Sequence, residues 1–276
     1  QTQRHVLLAR RSKQPTTHPE PVATTWSLSF ERIEKANPAA AELLRCCAFL
    51  HPDAIPEELI TKAASHFSPV LQAAARDPIK FDEAISDLLN YSLLRRLPET
   101  GDLSIHRLVQ AVLKDAMDSA AQQYWAERII DAVDQLFPFG EFANWEVCRR
   151  YLPHAMLCYD AIKQWNIDSE TAAHLLHNVA FYLNERAQYP EAEPLYQRAL
   201  AIKEHLVGPE HPDTAGTLNN LAILYWNQGK YEQAEPLYER ALAIREHVLG
   251  LEHPDTANTL NNLASLYANQ EKYEQA

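Results

Sequence analysis

The stretch that determines half of this fold runs from Tyr189 to Lys230 and reads YPEAEPLYQRALAIKEHLVGPEHPDTAGTLNNLAILYWNQGK. The next stretch, Tyr231 to Lys272, is identical to it at 31 of 42 positions, and a further copy opens at Tyr273. A fixed period of 42 residues predicts a tandem array in which each unit buries its apolar face against the next unit.

Each unit carries two helical patterns separated by a turn. The first pattern places apolar residues on one helix face: Leu218, Leu221, Ala222 and Tyr225. The second pattern does the same with Ala234, Leu237, Tyr238 and Ala241. Gly229 lies between the two patterns, where a helix would end. Two helices per repeat are therefore predicted.

The loop between repeats contains Pro254, which disfavours continuation of the preceding helix. A side-chain oxygen of Asp255 or Thr256 is expected to cap the helix that follows. Each repeat should therefore begin its first helix close to this proline.

The signature positions of this unit resemble those of tetratricopeptide repeats: Ala222, Tyr225, Gly229, Tyr231, Ala234, Tyr238 and Ala241. The 42-residue length is similar to that of kinesin light chain repeats. The resemblance covers residues 170–276 and implies two full repeats and a truncated third. It also implies an α-solenoid that binds a protein or peptide ligand. Because a solenoid does not end with an uncovered apolar helix face, the chain is expected to be a fragment.

The charge balance favours protein partners over nucleic acid. The chain has 25 basic and 37 acidic side chains, a net charge of −12, which disfavours contact with a phosphate backbone. Its four cysteines show no Cys-x-x-Cys spacing, and no long apolar run suggests a membrane segment. A cytoplasmic protein without membrane contact is expected.

The first half predicts a different domain. Residues 1–25 are polar and proline-dotted, as in a linker from an upstream NTPase domain that is absent here. Helical patterns follow at residues 40–50, 57–64 and 81–91, then two short extended runs at 93–97 and 103–106, then a helix to about residue 117. We interpret residues 26–118 as a winged-helix domain whose β-hairpin is the wing, and residues 119–169 as a helical linker or degenerate repeat. The predicted fold class is mainly α: a winged-helix domain followed by a tetratricopeptide α-solenoid.

A winged helix raises the alternative of a DNA-binding regulator, because the helix before the wing can enter the major groove. That helix carries Asp82, Glu83 and Asp87 and ends before the nearest arginines, Arg95 and Arg96, which lie on the predicted wing. Acidic residues oppose phosphate contact, so nucleic acid is not expected as a partner.

Two other strings look like the winged-helix domain of NB-ARC proteins, which are nucleotide-dependent signalling switches. They are Cys47 to Ile60, and Ile105 to Val109, which is similar to the Met-His-Asp motif of that family. The resemblance implies that His106 donates a hydrogen bond to the β-phosphate of bound ADP and holds an inactive state. Arg107 stands where the family has Asp, so the contacts of that residue do not carry over. The alternative is that His106 caps local backbone.

The chemistry of nucleotide hydrolysis is missing from the sequence. The chain has six glycines and no Gly-x-x-x-x-Gly-Lys-Ser/Thr loop to surround phosphates. No catalytic constellation and no metal-ligand spacing is present either. We expect this fragment to be non-enzymatic and free of cofactors, with ADP or ATP bound by the parent protein.

The candidate partner groove lies on the first helix of each repeat, opposite the apolar face. Its predicted residues are Asn178, Asn219, Asn220, Ile223, Trp226, Asn227, Asn261, Asn262, Ser265 and Asn269. Primary amides donate and accept hydrogen bonds, so a row formed by Asn178, Asn220 and Asn262 would suit an extended peptide backbone. The alternative is that these asparagines bond to neighbouring helices.

These features together predict the regulatory and sensor segment of a STAND signal-transduction NTPase of the NB-ARC type. In this interpretation the array recognises a ligand and the winged helix helps to hold the ADP-bound off state. The alternative is a free-standing tetratricopeptide scaffold for protein–protein interaction.

Overall fold

The computed structural model describes the backbone of residues 22–270 and the side chains of residues 28–270. Most of the predicted linker, and the second helix of the third repeat, lie outside the described residues. The chain divides between Leu136 and Phe137 into two compact units. Helices dominate both, so the mainly α fold class is confirmed.

The described part of unit 1, residues 22–136, contains seven α-helices and one hairpin. The helices are α1 (Val22–Ala36), α2 (Pro38–Ala48), α3 (Glu57–Thr61), α4 (Pro69–Ala75), α5 (Pro78–Asn90), α6 (Arg107–Asp115) and α7 (Ser119–Leu136). Helix α2 is the centre of this unit, and it has Leu43, Leu44, Cys46 and Cys47 fully buried.

The predicted hairpin is present. Strands β1 (Leu94–Arg96) and β2 (Leu103–Ile105) are antiparallel, with Leu94 opposite Ile105. Ile55 adds a bridge to the other edge of β2, where the two backbone bonds between Ile55 and Leu103 measure 2.7 and 2.8 Å. The hairpin is therefore joined to the loop before α3. Its role as the wing of a winged helix stays a prediction.

A polar residue followed by proline starts three helices of unit 1. Asn37, Ser68 and Asp77 each accept a backbone N–H of the first turn through a side-chain oxygen. Proline in the next position loses no helical hydrogen bond and already has a helical φ. These pairs set the starts of α2, α4 and α5.

Unit 2 is an alternation of first and second helices. It contains α8 (Trp145–Trp165), α9 (Glu170–Glu185), α10 (Tyr189–Leu206), α11 (Pro212–Asn227), α12 (Tyr231–Leu249) and α13 (Pro254–Asn269). Helices α9, α11 and α13 are the first helices of successive repeats. Each first helix packs against the second helix before it and, where that helix is described, the one after it. Between α11 and α12 the buried core consists of Ala215, Leu218, Ala241 and Ile244.

The structure corrects the predicted cap between repeats. The N-cap of α13 is His253, whose Nδ1 accepts the backbone N–H of Asp255 at 3.1 Å, and His211 caps α11 in the same way. Thr256 instead donates its hydroxyl to the Gly250 carbonyl at 2.9 Å. Histidine can cap a helix because Nδ1 of the neutral ring accepts hydrogen bonds and lies about as far from the backbone as a carboxylate oxygen of Asp.

Three further elements differ from the sequence analysis. Helices α1 and α4 were not predicted, since α4 is only seven residues long and α1 begins inside the polar stretch assigned to the linker. Residues 119–169 form two helices, α7 and α8, and the break between them spans residues 137–144.

The break at residues 137–144 packs closely against α9. A Cβ at Gly140 would lie 2.7 Å from both Cα and Cβ of Tyr182, a distance that real Cβ contacts do not reach. Phe137 meets the Tyr182 ring edge-on, with centroids 6.3 Å apart. Glycine is therefore required at position 140 for this segment to lie against the helix.

Candidate partner-binding groove

Side-chain hydrogen bonds join each first helix to the next one. The pairs are His177–Asn220 at 3.0 Å, Asn184–Asn227 at 3.2 Å and Asn219–Asn262 at 3.2 Å. Each pair is separated by 43 residues, which is one repeat plus one position. Successive first helices are therefore connected side by side by the same kind of contact.

The bonds around Asn220 run in one direction. Asn219 donates from Nδ2 to Oδ1 of Asn220 at 3.3 Å, and Asn220 donates from Nδ2 to Nε2 of His177. Because Nε2 accepts, the neutral ring carries its proton on Nδ1, which faces the Thr217 hydroxyl at 3.3 Å. The neutral His177 ring therefore donates from Nδ1 to the Thr217 hydroxyl and accepts at Nε2 from Asn220.

These bonds change the interpretation of the predicted asparagine row. Asn178 is 5% exposed and bonds to His174 in its own helix at 3.2 Å. Asn220 and Asn262 each bond to the preceding first helix, at the position next to the expected one. The alternative of bonding between helices thus describes part of this set. The use of these residues as a partner groove stays a prediction.

The outward face of α11 lies between these contacts. Asn220 and Asn227 bond toward α9, whereas Asn219 bonds toward α13. At 100° per residue, Gly216 and Ile223 fall between the two sets. They therefore face away from both neighbouring first helices, and both remain partly accessible.

The remaining predicted groove residues lie along or beside this face. Trp226 is half-buried on the side toward α13. On α13 the predicted groove residues Asn261, Ser265 and Asn269 are exposed, and the Ser265 hydroxyl donates to the Asn261 carbonyl at 2.8 Å. The lining changes from Ile223 and Trp226 on α11 to serine and alanine at the equivalent positions of α13.

The equivalent position on α9 is covered by the chain itself. Phe181 lies one period before Ile223, and Phe139 stacks on it with ring centroids 4.1 Å apart. The outward face of the described repeats is therefore open along α11 and α13 and occupied by an aromatic side chain at α9.

His106 is the N-cap of α6. Its Nδ1 accepts the backbone N–H of Leu108 at 3.1 Å, and the residue is exposed. An accepting Nδ1 leaves the proton of the neutral ring on Nε2. Any bond that His106 donates to a phosphate would therefore come from Nε2.

The arginines of the hairpin differ in their partners. Arg96 donates to Glu57 at 2.9 Å and to Asp82 at 3.0 Å, so its charge is matched by two carboxylates. Arg95 is exposed on the opposite face of β1. An arginine that already holds two carboxylates is a poor ligand for a DNA phosphate.

Metal and membrane sites were also considered. Within residues 22–270, no three His, Cys, Asp or Glu side chains are grouped to hold a metal ion. No helix in this range combines the length and the apolar character needed to span a membrane.

Comparison with protein families gives two matches. Residues 171–247 and 213–276 match the tetratricopeptide repeat family. The chain carries tetratricopeptide repeats. Residues 31–122 match a domain of unknown function, DUF7779. Tetratricopeptide repeats generally mediate protein–protein interaction, which agrees with the open face of α11 and α13.

A curated relative is a nucleotide-binding leucine-rich repeat (NLR)-like protein of Hyaloscypha variabilis. It is 36% identical over 204 residues, which cover 72% of this chain and 19% of the relative. This chain therefore matches less than a fifth of that protein's length.

Several solved structures are similar to this chain. BtubC (BKLC) from P. vanneervenii is 20% identical with a TM-score of 0.45, over 80% of this chain and 86% of that one. A Podosopora anserina putative kinesin light chain with nearly identical repeats is 16% identical with a TM-score of 0.45, over 80% and 91%.

Sequence reasoning missed three residues of the tetratricopeptide face. His177 and Asn184 were not predicted, because the asparagine row assumes a separation of one period, whereas the observed bonds join residues one period plus one apart. Phe139 was not selected because it lies outside the repeats. Only His177 had a signal, because its equivalent in each full copy, Asn219 or Asn261, is followed directly by a second asparagine.

The histidine of this network predicts a pH dependence of stability. Burial lowers the pKa of His177 to about 3, assisted by the nearby charges of Lys203 and His174. In the unfolded chain His177 therefore becomes protonated near pH 6.5, whereas in the folded chain it becomes protonated only near pH 3. The free energy of unfolding should fall as the pH drops through this interval, by about 3 kcal/mol between pH 6.5 and pH 4.

The test is His177→Asn, since asparagine occupies the equivalent positions 219 and 261 and can still bond to Asn220. Urea unfolding at several pH values should show a flatter profile between pH 6.5 and pH 4 than in wild type. Two profiles with the same slope would mean that His177 is not the group responsible.

Proposed function

We propose that this chain is the sensor segment of a cytoplasmic signalling NTPase, in which the tetratricopeptide array binds an extended segment of a protein partner. Unit 1 would belong to the switch that holds an ADP-bound off state in the longer protein. The support is the open face of α11 and α13 together with the NLR-like relative.

The observation that carries the proposal is the position of the variable residues. Between the two full copies, the first helix differs only at 216/258, 223/265 and 226/268. Two of these positions, Gly216 and Ile223, face outward between the inter-helix bonds, and Trp226 adjoins them. A constant packing surface with a varied open face is suited to selective recognition.

The double substitution Ile223→Ser with Trp226→Ala tests the array. Both replacements occur naturally at the equivalent positions of α13, so the fold should accept them. Peptides selected from a displayed random library on the wild-type chain should bind the double variant about tenfold more weakly or worse, because the apolar contact is lost.

Leu251→Ala is the matched control, since this apolar side chain is 72% exposed in the loop between repeats. It should leave peptide affinity unchanged. If the double variant binds the selected peptides as well as wild type does, partner binding on this face is refuted.

The sensor role of His106 requires the longer protein. His106→Asn should keep the cap of α6, because asparagine is a favourable N-cap residue, but it removes the imidazole. If Nε2 donates to ADP, the affinity of this variant for ADP should be about five- to thirtyfold lower than that of wild type. This is the effect expected from the loss of one charge-assisted hydrogen bond. Bound nucleotide can be quantified after gel filtration of the purified protein.

His106→Ala separates capping from sensing. It should lower the melting temperature as well as ADP retention, whereas His106→Asn should lower ADP retention alone. Equal ADP content in His106→Asn and wild type would leave His106 with a capping role only.

A second candidate function is a tetratricopeptide scaffold without nucleotide control. It is favoured by the caps at His211 and His253, which have the same Nδ1 contact as His106 but no link to nucleotide. An unchanged ADP content in the His106→Asn variant would support this candidate.

A further inference from the structure

Arg245 is a buried cation that has no ion-pair partner among the described residues. It is 8% exposed, and its Nη1 donates to the Asp255 carbonyl at 2.9 Å and to the Thr259 hydroxyl. Its Nε is buried and has no acceptor within residues 28–270. Among the described side chains, no carboxylate lies within 4.0 Å of the guanidinium. A buried charge of this kind is costly unless an anion or further acceptors reach it.

The surroundings of Arg245 only partly compensate the charge. Desolvation lowers its pKa, and the more distant carboxylate of Asp255 acts in the opposite direction. Arginine nevertheless stays protonated in proteins. The guanidinium is therefore a positive charge in a chain whose net charge is −12.

Gly216 opens the approach to this guanidinium. A Cβ at Gly216 would have Arg245 Nη2 as its neighbour, at 3.7 Å. The equivalent residue on α9 is His174, and on α13 it is Asn258, so a side chain stands at this position in the other repeats. Gly216 also belongs to the outward face of α11, so Nη2 of Arg245 lies next to the proposed groove.

The preceding repeat shows which part of Arg245 is structural. Lys203 is its equivalent, and its ammonium donates to the Asp213 carbonyl at 3.4 Å, as Nη1 of Arg245 does to Asp255. One N–H donor is therefore enough to link a second helix to the next first helix. Nη2 is the donor group that lysine does not have.

We propose that Arg245, reached past Gly216, binds the carboxylate of an acidic side chain in the partner segment. This rests on the proposed function and specifies the ligand. Ile223 lies about 10 Å from Gly216 along the helix, a span covered by about three residues of extended peptide. The partner segment thus carries Asp or Glu three residues from a large apolar side chain.

Library-selected peptides provide the probe. They are synthesised with acetylated and amidated ends, so that only side chains supply a carboxylate, and titrated calorimetrically into the 276-residue chain. Replacing the acidic residue by its amide should weaken binding to wild type by about tenfold or more. For Arg245→Lys, the same replacement should change the affinity by less than about threefold, because the second guanidinium nitrogen is gone.

Gly216→Glu and Gly216→Gln form a second, independent pair. The glutamate should occupy Arg245 from within the chain and repel the partner's carboxylate, so Gly216→Glu should bind acidic peptides more weakly than Gly216→Gln. This comparison holds even if Arg245→Lys does not fold.

Three results would overturn the inference. They are selected peptides without an acidic residue, an equal cost of the amide replacement in wild type and Arg245→Lys, and equal binding by the two Gly216 variants. If one of these results is found while the Ile223→Ser, Trp226→Ala variant still loses binding, the proposed function stands and only the role of Arg245 is refuted. The failure of this inference can therefore be distinguished from the failure of the proposed function.

Discussion

Tyr238→Ala should destabilise unit 2 by about 3–5 kcal/mol, because it removes a large side chain from a site that cannot collapse. Tyr238 is 1% exposed and lies on α12, in a position that Tyr196 occupies in the preceding repeat. Urea denaturation should show a lower midpoint with a similar slope. A midpoint close to that of wild type would mean that the repeats do not depend on this packing.

Tyr238→Phe is the matched control. The Tyr238 hydroxyl is buried and has no hydrogen-bond partner among the described residues, and burial raises the pKa of this phenol. Removing an unsatisfied hydroxyl without changing the ring should be neutral or slightly stabilising. A large loss in Tyr238→Phe would show that the hydroxyl has a partner.

Asn220→Ala should give an intermediate result. The amide bonds to His177 and Asn219 and is not free. Its removal should cost about 1–2 kcal/mol, because a partly buried acceptor on His177 loses its donor. This residue was expected to affect binding alone, and its contacts between helices make a stability cost unavoidable.

Gly140→Ala should destabilise unit 2 by about 2–3 kcal/mol or more, because the added methyl group would overlap the backbone of Tyr182. The strain cannot be relieved by a rotamer change, since the atoms in contact include the Cα and N of Tyr182 in α9. The segment would have to move away, which breaks the Trp145 Nε1 bond to the Gly140 carbonyl, now 3.1 Å long.

Gly216→Ala is the matched control, and it should change the stability of unit 2 in the opposite direction. Position 216 is inside a helix, and its Cβ would make an ordinary 3.7 Å contact with Arg245. Replacing a helical glycine by alanine should therefore stabilise the unit by about 0.5–1 kcal/mol. Thermal melts of the two variants should move in opposite directions, and a melt of Gly140→Ala equal to wild type would contradict the close contact.

The sequence was sufficient for the repeat because its signals are local. The 42-residue identity, the apolar spacing and the turn glycine Gly229 each depend on residues near in the chain. The hairpin was predicted for the same reason, from short extended runs around a turn. Helices α1 and α4 were missed because one is short and the other lies partly in a polar segment.

The residues of the outward face could be predicted only in part from the sequence. Helical periodicity placed Ile223 and Trp226 on the side opposite the core, and the structure leaves them partly accessible there. The same reasoning treated Asn178, Asn219 and Asn220 as available amides. Tertiary packing uses them within and between helices instead, since a buried amide must find partners.

By itself, the sequence determined the period, the two-helix unit and the absence of a phosphate loop, because each is a property of spacing along the chain. Only the tertiary structure decided that first helices bond at one period plus one residue, that Phe139 covers Phe181, and that the guanidinium of Arg245 lies beside Gly216. These contacts join residues of different helices. Their partners are set by how the helices pack, which no local pattern encodes.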